Sequence, residues 1–335
     1  MTLTIQKITC YIMTNNALFF LNGGFMKTTD EMIMAGGLWG GLCEGPSSEQ
    51  NEKAADIIVF GIPFDGNVSY RDGAKEGPAA IRETTFLIPP TTEYFEDLTG
   101  TRVVDIGDFS GGDCENIFDA VERKVTDLIK NKKFFTMIGG DHSVTIPVLK
   151  GIDKGLKKEF GIIHIDAHFD LCDELSGSKI SHGCTERRAT ELNNISSSES
   201  IFFIAIRSAE VDELNFMKEN KVNVISAVEF EKMGTANVIN AVKEKMSHFD
   251  EIYLTIDIDC LDPSYAAGTG TPKFGGLSSR QLLDLLRGLF DLPIIGFDVV
   301  EVAPKLDASM TSVYAAQRVI TECWGHQIRK RAEVK

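Results

Sequence analysis

The chain has 335 residues, 43% of them apolar, a composition that suits one large α/β domain or two small ones. Forty-nine acidic residues against 34 basic ones give a formal charge of −15, which speaks against nucleic acid or an anionic membrane as partner and suits a cationic ligand. Seven cysteines without a C-x-x-C pair point to free thiols in a reducing cytoplasm rather than to a disulfide scaffold or a zinc ribbon.

At the start of the chain, ALFFLNGGF is too short and too interrupted by Asn and Gly to span a bilayer, and no other segment is long and apolar enough. No basic cluster or A-x-A site marks a signal peptide. Residues 1–25 read as an extension of unknown role, with Met26 a candidate start, and 26–335 as a single domain. From residue 56 onwards, strand-like and helix-like stretches alternate. DIIVFGI (56–62) and RVVDIGD (102–108) are apolar runs. NIFDAVERKVTDLIK (116–130) follows with apolar residues at helical spacing. FFTMIGG (134–140) reads as a strand leading to a helix near Ser143. FGIIHID, SIFFIAI, VNVIS, EIYLTID and PIIGFDV read as further strands, with helical patterns in LNFMKEN, ANVINAVKEKM and SRQLLDLLRGLF between most of them. A last helix is expected from about Thr311 to Lys330. Near-continuous apolar strands separated by helices predict an α/β fold of three layers, α/β/α, around a mostly parallel sheet.

Three of these strands end in metal-type ligands. Asp166, His168 and Asp170 in HIDAHFD share a face if the strand conformation continues, as do Asp257 and Asp259 in TIDIDCLDP. GGDHS adds His142. The C-terminal ends of parallel strands are where open α/β sheets place ligands. Four carboxylates and two imidazoles cannot converge in a core without counter-charge, and two divalent cations would supply it. A set rich in oxygen, with imidazole and no thiolate, favours Mn²⁺ or Mg²⁺, while Ni²⁺, Co²⁺ and Zn²⁺ also suit these donors. A two-metal site activates water near neutral pH, so hydrolysis is the natural reaction class.

Cys172, Cys184 and Cys260 lie near these motifs and read as small packed side chains. His164 reads as a core or supporting histidine, and His248 and His326 as surface or packing residues. GTGTPKFGG (268–276) lacks the Lys-Ser/Thr pair of a phosphate loop. It reads instead as a segment whose backbone approaches the site closely.

The motifs GGDHS (139–143), DAHFD (166–170), SHG (181–183), DIDCLDP (257–263), GTGTP (268–272) and EVAP (301–304), with SYRDGAKEGPAAIR (69–82), resemble the ureohydrolase (arginase/agmatinase) family, its agmatinase branch most of all. The resemblance spans roughly residues 56 to 320. It implies an arginase-like fold and a binuclear manganese site in a homo-oligomer, a trimer or hexamer. One manganese would be held by His142, Asp166, Asp170 and Asp257, the other by Asp166, His168, Asp257 and Asp259. It also implies His182 as the proton-handling histidine and Glu301 as the carboxylate that binds a guanidinium. A planar cationic guanidinium suits a carboxylate that accepts two parallel hydrogen bonds. Asp170 would pass a proton to the leaving amine, and the products would be urea and an amine.

SHGCTERR departs from the agmatinase pattern SHGT-x-F-R-R at Cys184 and Glu186, and Ala266-Ala267-Gly268-Thr269 lacks the usual first proline. Asp173, Glu174 and Glu186 suggest an acidic rim for a cationic tail such as that of agmatine. Arg187 and Arg188 would instead serve a guanidino acid such as 4-guanidinobutyrate or 3-guanidinopropionate. Arginine and free guanidine remain further candidates. From other classes, a phosphohydrolase would need basic groups that the site segments scarcely supply. A deacetylase would hold one zinc and fewer carboxylates. A non-catalytic regulator would be expected to have lost ligands.

Overall fold

The structure, a computed structural model, describes residues 20–21, 24–25, 37–43 and 47–333. The Met26 start, and most of the 1–25 extension, lie outside the described residues. Eight strands form one sheet: β1 Ile57–Ile62, β2 Val103–Asp108, β3 Phe134–Gly139, β4 Gly161–Ile165, β5 Ile201–Ile206, β6 Asn223–Ser226, β7 Ile252–Asp257 and β8 Ile294–Val300. Ten α-helices accompany them among the described residues: α1 Glu49–Ala54, α2 Gly77–Thr84, α3 Cys114–Lys130, α4 Thr145–Gly155, α5 Thr185–Ala189, α6 Val211–Glu219, α7 Ala227–Met233, α8 Thr235–Met246, α9 Ser279–Leu289 and α10 Thr311–Glu333.

The sheet order is β2-β1-β3-β8-β7-β4-β5-β6, and every neighbouring pair is parallel. The chain lays β1–β3 on one side and β4–β6 on the other, then returns to place β7 and β8 between them. Distant segments therefore end side by side: Ile138 pairs with Val299, Asp257 with Val300, and Ile165 with Ile256.

Strand side chains alternate between two buried layers. Ile58, Phe60, Met137, Ile162, Phe203 and Tyr253 meet the apolar faces of α3 and α4. Ile57, Val59, Ile163, Leu254, Ile256 and Phe297 meet α8, α9 and α10. α9 shows how sequence makes a layer. Ser278 and Gln281 cap its start reciprocally, and Leu282, Leu285, Leu286 and Leu289, at helical spacing, are its buried residues. Each such leucine contributes about 1.5–3 kcal/mol by leaving water. The expected three-layer α/β/α fold is therefore the observed one. No helix among the described residues is long and apolar enough to cross a membrane.

Candidate active site

The six expected metal ligands gather at the C-terminal ends of β3, β4 and β7, but not by a continued pleat. β4 stops at Ile165 and the chain turns, with Asp170 at φ +54°. β7 stops at Asp257, and Asp259 lies in a single 3₁₀ turn. His142 also opens a 3₁₀ turn, beyond β3. A turn brings successive carboxylates to one point, whereas a pleat would space them along a face. Gly140 enables the His142 turn: a Cβ there would collide with the backbone carbonyl of Phe64.

Hydrogen-bond logic fixes the role of His142. The Thr255 hydroxyl donates to Asp298 Oδ1 at 2.6 Å, so it accepts from His142 Nε2–H at 2.8 Å. The lone pair on Nδ1 then faces Asp170 Oδ2 at 3.0 Å, Asp166 Oδ2 at 3.1 Å and Asp257 Oδ2 at 3.4 Å. Asp298 is itself buried and held by Thr145, Tyr253 and the Ile256 amide. On the other side, His168 Nδ1 lies 3.2 Å from Asp259 Oδ2 and 3.4 Å from Asp166 Oδ1. The ligand atoms of Asp166, His168 and Asp259 are all within 4.8 Å of one another.

These groups are under-satisfied by the protein. His142 Nδ1, Asp166 Oδ2 and Asp259 Oδ2 are buried and have no hydrogen-bond partner among the described residues. Without a cation the carboxylates compete for protons. Burial, then the neighbouring Asp259 and Asp166, push Asp257 well above the usual carboxylate range. Burial lowers the proton affinity of His168, yet Asp259 and Asp166 outweigh it and lift the ring to about 12. Orphaned oxygens and an orphaned imidazole nitrogen, all aimed inward, fit a pair of divalent cations.

Beside this cluster sits a second one. Glu301 directly follows β8 and has φ +63°. Its Oε1 accepts from the His142 amide at 3.0 Å and lies 2.9 Å from His182 Nδ1. Nε2 of His182 meets the amide and hydroxyl of Ser69 at 3.1 and 2.8 Å. The Ser69 N–H favours a neutral ring and burial works the same way. Glu301 favours the charged ring and prevails, raising His182 to about 9. Two non-glycine residues in the left-handed region, both in the site, are a form of stored strain that surrounding contacts must hold. Asp170 is held by the amides of Glu186 and Arg187, which donate to its carbonyl. Glu301 is held by its own amide, which donates to Gly140 O at 2.8 Å.

A cavity of about 290 Å³ opens onto His168, Asp170, His182 and Asp257. A larger groove, about 660 Å³, lies at the opposite end of the sheet, near Phe134, Glu251 and Ile294, and its lining has no His or Cys. The chemistry belongs to the smaller cavity. Its outer lining includes Ser69, Glu210, Glu213, Thr271 and Lys273. Thr271 and Lys273, both in the GTGTPKFGG segment, are among these lining residues. Arg71 donates to Thr269 O and Gly270 O, and Arg207 donates to Asp259 O and Lys273 O, so both arginines pin this loop.

The expected tail residues are elsewhere. Glu186 is fully buried and bonded to His164, so it cannot form a solvent-facing rim. Asp173 is outside the cavity lining and pairs with Arg188 and Lys179. Arg188 is also engaged by Glu191, and Arg187 stacks on Phe216, so neither offers a free cation to a substrate. Glu210, Glu213 and Lys273 were not foreseen. The one signal for the acids was their spacing of three at the start of a helix directly after β5. There they form a capping box, Glu213 accepting from the Glu210 amide at 2.7 Å. Cys172, Cys184 and Cys260 are buried and free, as expected. His164 and His326 are buried, and His164 supports the site as described below.

The Arginase family matches residues 55–325 of the chain. Agmatinase of Neisseria meningitidis serogroup A is 38% identical over 280 residues, covering 81% of this chain and 87% of that one. Among solved structures, agmatine ureohydrolase of Thermoplasma volcanium superposes with a TM-score of 0.76 at 32% identity, covering 84% of this chain and 93% of that one. Proclavaminate amidino hydrolase of Streptomyces clavuligerus superposes with a TM-score of 0.74 at 33% identity, covering 82% and 92%.

Proposed function

The chain belongs to the arginase family, and from that premise we propose that it hydrolyses the guanidino group of agmatine, giving putrescine and urea, with two manganese ions. The observation that carries this reading is the junction of two clusters at the base of one cavity. His168, Asp170 and Asp257 of the acidic cluster line the cavity together with His182, and behind His182 lies a buried carboxylate, Glu301, that can accept from a guanidinium.

The first cation would be held by His142, Asp166, Asp170 and Asp257, and the second by Asp166, His168, Asp257 and Asp259. When bound, the pair would supply four positive charges against the four carboxylates and would make a bound water more acidic. The residues do the rest. Glu301 exchanges its bond to His182 for the substrate guanidinium and fixes the plane of that group. Asp170, whose Oδ2 points into the cluster, takes a proton and passes it to the leaving nitrogen. His182 is lined up between Glu301 and Ser69 at the cavity wall and exchanges protons with solvent. Glu210, exposed at the outer lining, and Glu213 lie on the side where a cationic tail would extend. The enzyme is expected to work in the cytoplasm as a homo-oligomer.

One observation favours a second reading. Lys273 lines the same cavity, and its ammonium group belongs to no ion pair among the described residues. It suits the carboxylate of a guanidino acid, such as 4-guanidinobutyrate or 3-guanidinopropionate. Urea release from agmatine, these two acids, arginine and free guanidine, measured on manganese-loaded enzyme, decides between them. A dominant rate with agmatine supports the first reading, and a dominant rate with a carboxylate-bearing substrate overturns it.

A further inference from the structure

Behind the metal-holding turn lies a carboxylate that the reaction does not use. Glu186 is fully buried at the second position of α5, with Oε2 unpartnered among the described residues and Oε1 3.0 Å from His164 Nδ1. Nε2 of His164 lies 3.1 Å from His168 O and 3.2 Å from Asp166 Oδ2. The ring is sandwiched: it stacks on His142 at 5.1 Å with an interplanar angle of 1°, and Phe203 meets it edge-on at 5.2 Å. The backbone of α5 grips the same turn a second time, the amides of Glu186 and Arg187 both donating to Asp170 O at 3.0 Å.

We propose that Glu186 is a positioning residue which, acting through His164, holds the turn Asp166–Asp170 in its metal-holding shape; the inference rests on the reading of that turn as half of a metal centre. Oxygen acceptors face both ring nitrogens of His164. The His168 carbonyl can only accept, so Nε2 carries a hydrogen and donates it there at 3.1 Å, with Asp166 Oδ2 3.2 Å away. Glu186 Oε1, 3.0 Å from the other ring nitrogen, fixes the plane of the ring and so the direction of that N–H. The phenylalanine of the agmatinase pattern at this position would leave Nδ1 without that partner, and the ring free to tilt away from the His168 carbonyl. Outer partners of this kind typically change metal affinity by about 10- to 100-fold.

The test is manganese release from the loaded protein into excess EDTA, with circular dichroism as a folding control. Glu186→Met removes the partner of Nδ1 and should release manganese about 10- to 100-fold faster than the parent. Glu186→Gln can donate its amide hydrogen to Nδ1, so Nε2–H persists and release should stay within about three-fold of the parent. If Glu186 acts through His164, adding Glu186→Met to His164→Phe should accelerate release no further. Should Glu186→Met not fold, Glu186→Leu replaces it in both comparisons. Parent-like release from the Met or Leu variant, a Gln variant as leaky as Met, or additive effects in the double variant would each overturn the proposal. A parent protein that retains no manganese would instead remove the functional reading, and this inference with it.

Discussion

Two of the buried clusters of charge among the described residues are built on opposite principles. At the edge of the sheet, Arg82 reaches Asp105 through Nε and Nη2 at 2.8 Å each and Asp108 through Nη1, while Trp39 Nε1 and the Gly107 amide complete Asp105. There the protein supplies its own donors. At the C-terminal ends of the central strands, Asp166, Asp170, Asp257 and Asp259 meet His142, His164, His168 and three backbone amides but no arginine or lysine, and Asp166 Oδ2 and Asp259 Oδ2 are left without a hydrogen-bond partner among the described residues. The number of carboxylates alone does not make a metal site. The deficit of donors does, because an unmatched buried charge is too costly to keep unless a cation joins it.

The two clusters should answer substitution in opposite ways. Asp259→Ala should cut urea production at least about 1,000-fold and lower manganese content from about two to about one per chain. The metal-free protein should lose little stability, since the oxygen without a partner goes together with the single bond that Oδ1 accepts from the Ala167 amide. A clear loss of metal-free stability would place Asp259 in the structural class instead. Arg82→Met should do the reverse. It leaves Asp105 and part of Asp108 without a counter-charge, costing about 3–5 kcal/mol in denaturant unfolding. The folded fraction should keep its parent kcat, and a lost kcat with unchanged stability would refute the contrast.

The sequence made the donor deficit visible before the fold was known. HIDAHFD, DIDCLDP and GGDHS name the candidate ligands, and the strands that carry them follow from apolar runs such as EIYLTID. It did not reveal how they meet. A pleat was expected to align Asp166, His168 and Asp170, but the strand ends at Ile165 and the backbone at Asp170 turns left-handed. Alternation describes a strand and says nothing about the turn after it. Glu186 was misplaced for a related reason. Set beside Arg187 and Arg188, it resembles a solvated face, yet α5 is one short turn whose inner side points at His164. The Asp298–Thr255–His142 relay was unreadable because its members come from two strands, β8 and β7, and the turn after a third, β3, which lie far apart in the chain. Asp298 looked like an ordinary residue of β8.

Smaller effects sharpen the boundary between the metal centre and its neighbour. Glu301→Gln keeps the shape but loses a charge-assisted bond, so kcat/KM should fall about 10- to 100-fold with manganese content unchanged. Loss of metal in that variant would merge the two clusters into one. The smallest effect is a pH dependence. His182 is raised to about 9, so between its ordinary value, about 6.5, and 9 the folded protein binds more protons than the unfolded chain. Stability from the His182–Glu301 pair is therefore complete below the lower value and lost as pH rises through the upper one. The difference in Tm between the parent and His182→Asn should shrink from pH 6 to pH 10. A difference that grows over that range would assign the opposite sign.

The most direct test is equilibrium dialysis of chelator-stripped protein against manganese, with bound metal counted per chain and Tm measured alongside. Two ions per chain, with Tm rising as they bind, are expected if the surplus carboxylates are held by cations. A stripped protein that takes up no manganese, and whose Tm does not respond to it, would contradict that account.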